Sequence, residues 1–145
     1  MIPRVLLPLD GSRRADCIID EALKMAKNTK NGITFILMQV IEIYPLLARD
    51  KESEMRILTE NAEKNLSKAK KRFEEEGIKN EIVIKDGKPA QEICDYADRN
   101  DINFVVISSH GHGGVNRWAL GSVTDKVVRH CSKPVYVVKS QKEIR

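Results

Sequence analysis

Short apolar runs alternate with amphipathic segments along the chain, and this alternation constrains the fold more than any other feature. The runs mostly lack the polar alternation of half-exposed strands, which is typical of parallel strands covered on both faces. They lie at residues 5–9, 33–41, 81–85, 104–107 and 134–138. We therefore predict five strands, of which the third, with a charged residue at each end, suits a sheet edge.

The segments between the runs carry apolar residues at three- and four-residue spacing, which predicts amphipathic helices. These helices cover approximately residues 15–26, 52–76, 89–97 and 122–131. Helices that alternate with strands and cross over with the right hand give a parallel sheet that is covered on both faces. We predict one α/β domain over residues 1–145, with an open, Rossmann-like sheet in the strand order 3-2-1-4-5.

Charge and hydropathy argue against several classes of protein. The net charge of +4 comes from 25 Lys and Arg residues interleaved with 21 Asp and Glu residues. Such interleaving favours a solvated surface over a nucleic-acid footprint. The longest apolar run is too short to cross a bilayer, and the amino terminus enters a strand without the features of a secretory signal. We expect a cytoplasmic protein with neither a nucleic-acid nor a membrane partner.

The three cysteines, Cys17, Cys94 and Cys131, are widely spaced in the sequence. A disulfide framework requires paired cysteines, and a CxxC redox site requires close spacing. Each cysteine falls in a helical apolar pattern, where a thiol packs as a small apolar side chain. The sequence therefore predicts buried, reduced thiols.

Two loops have the composition of a ligand site, residues 8–12 after the first strand and residues 108–114 after the fourth. Ligands of an open doubly wound sheet lie beyond the carboxyl ends of the strands, where the winding reverses. Glycines let backbone N–H groups approach a phosphate, and the helix that begins at Ser122, its predicted N-cap, adds unpaired donors. We predict an anion between the second loop and this helix, although neither GxGxxG nor GxxxxGK[ST] is present.

More specific chemistry for these loops has less support. His110 and His112 would lie on opposite sides of an extended loop without a third ligand, so we expect no metal centre. A triad of Asp10, His110 and Ser122 would lack the GxSxG elbow, and Asp10 lacks the acidic neighbours of a phospho-acceptor that holds Mg²⁺. Trp118 follows the second loop, and we interpret it as a packing residue. We predict no catalytic residue.

The second loop and the helix after it resemble a motif of the universal stress protein family. The ATP-binding members of that family carry a glycine, two residues, a second glycine, nine residues, and then Gly-Ser or Gly-Thr. Here the matching stretch runs from Ser108 through Gly111 to Gly121-Ser122. Residues 5–12 and 132–138 resemble the family's opening and closing strands, so the resemblance covers the whole chain. Ser108 departs from the motif, and its side chain would crowd a ribose if this position required a positive φ.

The resemblance implies a set of nucleotide-binding residues. The end of the first strand would bound the adenosine, with the carboxylate of Asp10 near the ribose hydroxyls, and Val40 would contribute to the adenine site. The loop after the fourth strand would line the nucleotide, and the start of the last helix would hold phosphates through N–H groups and hydroxyls. The full set is Pro8, Leu9, Asp10, Val40, Ser108, Ser109, His110, Gly111, Gly121, Ser122, Val123 and Thr124.

The function that the resemblance implies is regulation in a stress response by bound ATP or AMP, with Mg²⁺ as a companion ion and without efficient catalysis. A slow ATPase or autophosphorylating protein is one alternative, and a nucleotide-free interaction module of the same fold is another. The last strand, residues 134–138, is apolar, uncharged and predicted at a sheet edge, which leaves it open to pairing. Relatives that resemble this chain commonly dimerise through this strand, so we expect a homodimer.

Overall fold

The computed structural model describes residues 1–42, 50–111 and 119–140, except for the side chains of residues 14 and 15. Strands and helices alternate through these ranges, with ends within two residues of those predicted. The strands are β1 (Arg4–Pro8), β2 (Thr34–Ile41), β3 (Asn80–Asp86), β4 (Phe104–Ser108) and β5 (Val135–Val138). The helices are α1 (Arg13–Lys27), α2 (Lys51–Glu75), α3 (Pro89–Arg99) and α4 (Ser122–His130).

The strands form one parallel sheet in the order β3-β2-β1-β4-β5, which confirms the predicted fold class. The central strand β1 pairs with β2, where Leu7 lies beside Leu37, and with β4, where Val5 lies beside Phe104. The winding reverses between β1 and β4. The loops after these two strands therefore leave adjacent positions at the same end of the sheet.

Two helices cover each face of the sheet. On one face, α1 and α2 pack against the strands, and the ring centroid of Phe35 lies 5.2 Å from that of Phe73 in α2. On the other face, α3 and α4 pack around Leu6, Met38 and Ile107. Because the central strands are buried on both sides, they do not alternate between apolar and polar residues, which accounts for the continuous runs in the sequence.

Several helix boundaries follow local signals in the sequence. Asp50 is the N-cap of α2, where its carboxylate accepts hydrogen bonds from the N–H groups of Glu52 and Ser53 at 3.1 and 3.3 Å. Gly77 takes a left-handed backbone, with φ +69°, just after α2 ends. Pro89 begins α3, where its missing N–H costs no intrahelical hydrogen bond.

The N-cap of α4 differs from the prediction. The sequence predicts Ser122 as the N-cap, but Gly121 holds that position, with φ −59° and ψ 156°, and Ser122 is the first helical residue. The reason is a close backbone approach: a Cβ on Gly121 would lie 3.3 Å from the Cα of His110 and from the carbonyl oxygen of Ser109. The N-cap is therefore a residue without a side chain.

The cysteines are free thiols, but the prediction that they are buried holds only for Cys94 of α3. Cys17 and Cys131 are half-buried. Cys131 lies at the C-cap of α4 rather than within the helix.

None of the helices in the described part of the chain has the length and apolar character of a membrane span. The second predicted loop is described only through Gly111. His112 and Trp118, both singled out in the sequence, lie outside the described residues.

Candidate functional site

A cavity of about 420 Å³ opens at the carboxyl ends of β1, β2 and β4, beside the amino-terminal parts of α3 and α4. This is the end of the sheet at which its winding reverses, where the sequence predicts a ligand. The volume falls within the range of roughly 300–1,000 Å³ that is typical of small-molecule sites.

Four separate segments bring ten of the twelve residues implied by the resemblance to this cavity. These ten are Pro8, Leu9, Asp10, Val40, Ser108, Gly111, Gly121, Ser122, Val123 and Thr124. The other two, Ser109 and His110, lie beside the cavity lining, and their polar groups bond with Ser140 after β5.

The carboxylate of Asp10 lies against the backbone of Gly111. Its Oδ1 accepts a hydrogen bond from the N–H of Ser12 at 2.9 Å, which holds the carboxylate just beyond β1. A Cβ on Gly111 would overlap Oδ2 of Asp10. Glycine at this position therefore lets the two loops approach each other at the rim of the cavity.

The amino terminus of α4 presents hydrogen-bond donors to the cavity. The first N–H groups of a helix have no intrahelical acceptor, and the N-cap residue Gly121 has no side chain that could accept from them. The N–H of Gly121 itself donates to the carbonyl of Ser109 at 2.8 Å. With the positive end of the helix dipole, the N–H groups of Ser122 and Val123 favour an anion here.

The hydroxyl of Thr124 is engaged within the protein. Thr124 is 4% exposed, and its Oγ1 donates to the carbonyl oxygen of Ser108 at 2.7 Å. This bond ties the first turn of α4 to the end of β4. Because a hydroxyl has one proton to donate, the Thr124 hydroxyl in this arrangement is not a donor for a phosphate.

Ser108 fits its position without backbone strain. Among the described residues other than glycine, only Asp101 has a positive φ, so Ser108 does not need the conformational freedom of the motif's glycine. Its side chain is buried, and Oγ donates to the carbonyl oxygen of His110 at 2.8 Å. The crowding expected for a left-handed backbone does not arise, and the hydroxyl instead shapes the turn after β4.

Ser109 and His110 form a hydrogen-bond network with Ser140. The Oγ of Ser109 accepts from the N–H of Ser140 at 2.8 Å, and the N–H of His110 donates to the Oγ of Ser140 at 3.2 Å. The His110 ring lies 3.1 Å from Ser109 Oγ through Nδ1 and 2.7 Å from the carbonyl oxygen of Ala119 through Nε2. Since a carbonyl oxygen only accepts, Nε2 carries a proton.

The surroundings of His110 bear on two alternatives from the sequence, a catalytic triad and a metal centre. Its ring nitrogens bond with Ser109 and Ala119 rather than with Asp10 and Ser122, so the imagined triad is not assembled. In the part of the chain that the structure describes, no group of three or more His, Cys, Asp or Glu side chains is placed to hold a metal ion.

The cavity also has lining residues that the motif does not contain. α3 contributes Pro89 and Ile93 because the crossover from the edge strand β3 to β4 has to pass over the sheet on the same face as α4. The contribution of α3 could therefore be inferred from the predicted strand order, although not from the motif. The further lining residues are Met38, Gln39, Glu42, Pro89, Ile93 and Ile107.

A second, more open cavity of about 450 Å³ lies at the opposite end of the sheet, lined in part by Arg4, Thr34 and Lys79. Arg4 pairs there with Glu81 at 3.5 Å. This end holds the amino ends of the strands and the carboxyl end of α2, where the helix dipole is negative. It therefore favours an anion less than the amino terminus of α4 does.

The fold is that of a doubly wound α/β protein, with a cavity at the switch point of its sheet. A comparison with protein families matches residues 1–139 to the universal stress protein family. The chain belongs to this family.

Two relatives are similar over nearly the whole chain. Universal stress protein MJ0577 of Methanocaldococcus jannaschii is 31% identical, and the alignment covers 96% of this chain and 96% of that protein. Its solved structure has a TM-score of 0.82 and the two chains cover 99% of each other. Universal stress protein MJ0531 of the same organism is 28% identical over 144 residues, covering 97% of this chain and 84% of its own.

Two more distant structures of the same fold contain a ligand. A universal stress protein family protein from Arabidopsis thaliana, solved with AMP bound, has a TM-score of 0.72 at 21% identity and coverages of 97% and 94%. A universal stress protein solved in complex with cAMP has a TM-score of 0.70 at 20% identity and coverages of 97% and 98%. At these identities the likeness shows the fold alone.

Proposed function

We propose that this chain binds an adenine nucleotide, ATP or AMP, in the cavity at the carboxyl ends of β1, β2 and β4. We further propose that the bound nucleotide makes the protein a regulator in a stress response rather than an efficient catalyst. The observation that carries the proposal is that an apolar wall, a carboxylate and a helix amino terminus border one cavity.

The apolar wall suits a purine base. It combines side chains of β2, α3, β4 and α4, and burial of a flat ring against such side chains is favourable because it removes apolar surface from water. The apolar side chains are Met38, Val40, Ile93, Ile107 and Val123.

The polar part of the cavity suits a ribose and phosphates. The carboxylate of Asp10 accepts hydrogen bonds, so it can receive those of vicinal ribose hydroxyls. Phosphates would bind at the start of α4, through the N–H groups of Ser122 and Val123 and the Ser122 hydroxyl. Mg²⁺, where ATP carries it, would offset the charge of the phosphates.

Two further considerations support this choice. The ligands of the AMP-bound and cAMP-bound structures of the same fold are both adenine nucleotides. Both ring nitrogens of His110 are engaged in internal hydrogen bonds, so His110 is not arranged as a general base, which favours binding over chemistry.

Equilibrium titration with labelled ATP and AMP, with and without Mg²⁺, tests the proposal, and labelled GTP is the control for base specificity. We expect saturable binding of at least one adenine nucleotide with weaker binding of GTP. No saturable binding of either adenine nucleotide would reject the proposal in favour of a nucleotide-free interaction module. ATP recovered intact after long incubation would exclude the slow ATPase.

We also infer that the chain forms a homodimer through β5, which lies at an edge of the sheet. The carbonyl oxygen of Pro134 accepts a hydrogen bond from the N–H of Val105 in β4 at 2.9 Å, and that of Val138 accepts one from the N–H of Ser109, just after β4, at 2.8 Å. Because backbone groups alternate in direction along a strand, the N–H and carbonyl groups of Val135 and Val137 point away from β4. A second β5 about a two-fold axis would satisfy these groups.

A further inference from the structure

The side chains of Cys94 in α3 and of Cys131 at the end of α4 lie in the same apolar layer on one face of the sheet. Cys94 is 9% exposed and Cys131 is half-buried. The next residue, Ser132, donates from Oγ to the carboxylate of Asp98 in α3. Two successive residues after α4 are therefore held against one helix.

We propose that Cys94 and Cys131 form an oxidant-reactive dithiol that closes to a disulfide between α3 and α4. Cys94 and Asp98 lie one helical turn apart on α3, so the bond from Ser132 to Asp98 brings the neighbouring Cys131 to the turn that carries Cys94. A disulfide, with its sulfurs about 2.05 Å apart, then requires only a small displacement. The sulfur of Cys17, by contrast, lies 3.9 Å from the carbonyl oxygen of Lys139. The pairing does not depend on nucleotide binding.

The reaction balances with a peroxide as the oxidant. A thiolate sulfur attacks one oxygen of hydrogen peroxide, the O–O bond breaks, and a sulfenic acid and water result. The second cysteine attacks that sulfur, the S–S bond forms, and the sulfenic oxygen leaves as water. The two thiols together lose two electrons and two protons, and the peroxide is reduced to two molecules of water.

The surroundings of the pair set how fast it reacts. Burial raises the pKa of both thiols, while the hydrogen bond between them lowers the pKa of Cys94 and raises that of Cys131, so Cys94 ionises first. The negative charges of Asp98 and Asp95 further raise the pKa of Cys94, and that of Asp98 also raises the pKa of Cys131. Because the thiolate is the nucleophile, the pair is slow to oxidise at neutral pH and becomes faster as the pH rises.

The disulfide would join the two helices that border the ligand cavity. Pro89 and Ile93 of α3 line the cavity, as do Ser122 and Val123 of α4. The crosslink would fix the far end of α4 to α3 and would stabilise the fold by restricting the unfolded chain.

The test treats the wild-type protein with hydrogen peroxide at neutral and at alkaline pH, followed by thiol alkylation, digestion without reduction and mass spectrometry. We expect a peptide pair that joins Cys94 to Cys131 and is short of two hydrogen atoms, reversal by dithiothreitol, and closure at least about tenfold faster at alkaline pH. Cys17→Ser is the matched control and should give the same crosslink.

Cys131→Ser should lose both the crosslink and the rise in unfolding midpoint that oxidation gives the wild type. Circular dichroism checks that this variant is folded. If the variant is unfolded, the crosslinked peptides of the oxidised wild type decide whether the disulfide forms. Full alkylation of Cys94 and Cys131 after exhaustive oxidation, or crosslinks that involve only Cys17, would overturn the proposal.

Discussion

At the scale of single residues, the two glycines of the motif are required for different physical reasons. Gly111 has no side chain because the carboxylate of Asp10 occupies the space that a Cβ would fill. Gly121 has none because the backbone of Ser109 and His110 passes 3.3 Å from its Cβ position. Both glycines are required even without a bound ligand. Their spacing in the sequence therefore reflects the way in which two loops and a helix pack together.

Gly121→Asp is expected to abolish nucleotide binding while the fold is retained. The added carboxylate would stand at the amino terminus of α4 and compete with a phosphate for the same N–H groups. Gly121→Ala is the matched control, because it adds the same Cβ without the charge. Titration with labelled ATP and circular dichroism measure the outcome. Equal affinity in the two variants would reject the placement of phosphates at α4.

Ser108→Gly is expected to leave nucleotide affinity unchanged or higher, since the Ser108 hydroxyl donates to the carbonyl of His110. Stability should fall by about 1–2 kcal/mol, from the added chain entropy and the lost hydrogen bond. Ser108→Ala loses the bond alone and should fall less. Denaturant unfolding measures stability. A clear loss of affinity in both variants would show that the hydroxyl is itself a ligand.

At the scale of helices and strands, the sequence predicts most boundaries because the signals are local. Gly77 and Pro89 act through their own backbone, whatever packs around them. The N-cap of α4 is predicted wrongly because the position of Gly121 depends on the approach of the loop after β4, a tertiary contact that no local pattern contains. For the same reason the network of Ser109 with Ser140, 31 residues away, is invisible in the motif.

Asp50→Ala is expected to lower the unfolding midpoint by a few degrees at neutral pH, since α2 would lose its N-cap. Hydrogen bonds from the side chain and N–H of Ser53 and from the N–H of Glu52 hold the pKa of Asp50 below its usual value. The stabilising contribution is therefore present above about pH 3.9 and is lost as the pH falls through the lowered folded-state pKa.

The difference in midpoint between wild type and Asp50→Ala should accordingly shrink in acid, which thermal unfolding at a series of pH values measures. Asp50→Asn keeps a capping oxygen without the charge and should retain most of the stability at neutral pH. A difference that widens in acid, or that is absent at neutral pH, would contradict this role.

At the scale of the whole molecule, the ligand cavity and the proposed dimer edge are adjacent. Ser140 follows β5 and hydrogen-bonds with Ser109 and His110, whose neighbours Ser108 and Gly111 line the cavity. A ligand that shifts the loop after β4 would thus act on the end of the edge strand. In the proposed dimer, this contact would give a bound nucleotide a direct physical route to the assembly of two chains.

Val137→Pro is expected to weaken the homodimer at least about tenfold, because it removes an N–H that points away from β4. Val137→Ala keeps that N–H and controls for the loss of side-chain packing. Sedimentation equilibrium of the three proteins measures the change. A wild type that is monomeric at micromolar concentration, or a proline variant that dimerises as tightly as the alanine variant, would rule out pairing through β5.

The placement of the nucleotide is tested most directly by following backbone amide chemical shifts of the isotope-labelled protein during titration with AMP or ATP. We predict saturable shifts concentrated at residues 8–10, 108–111 and 121–124, which border the cavity at the carboxyl ends of the strands. Shifts centred on Arg4 and Lys79 at the opposite end of the sheet, or no saturable shift at any residue, would contradict the proposed site.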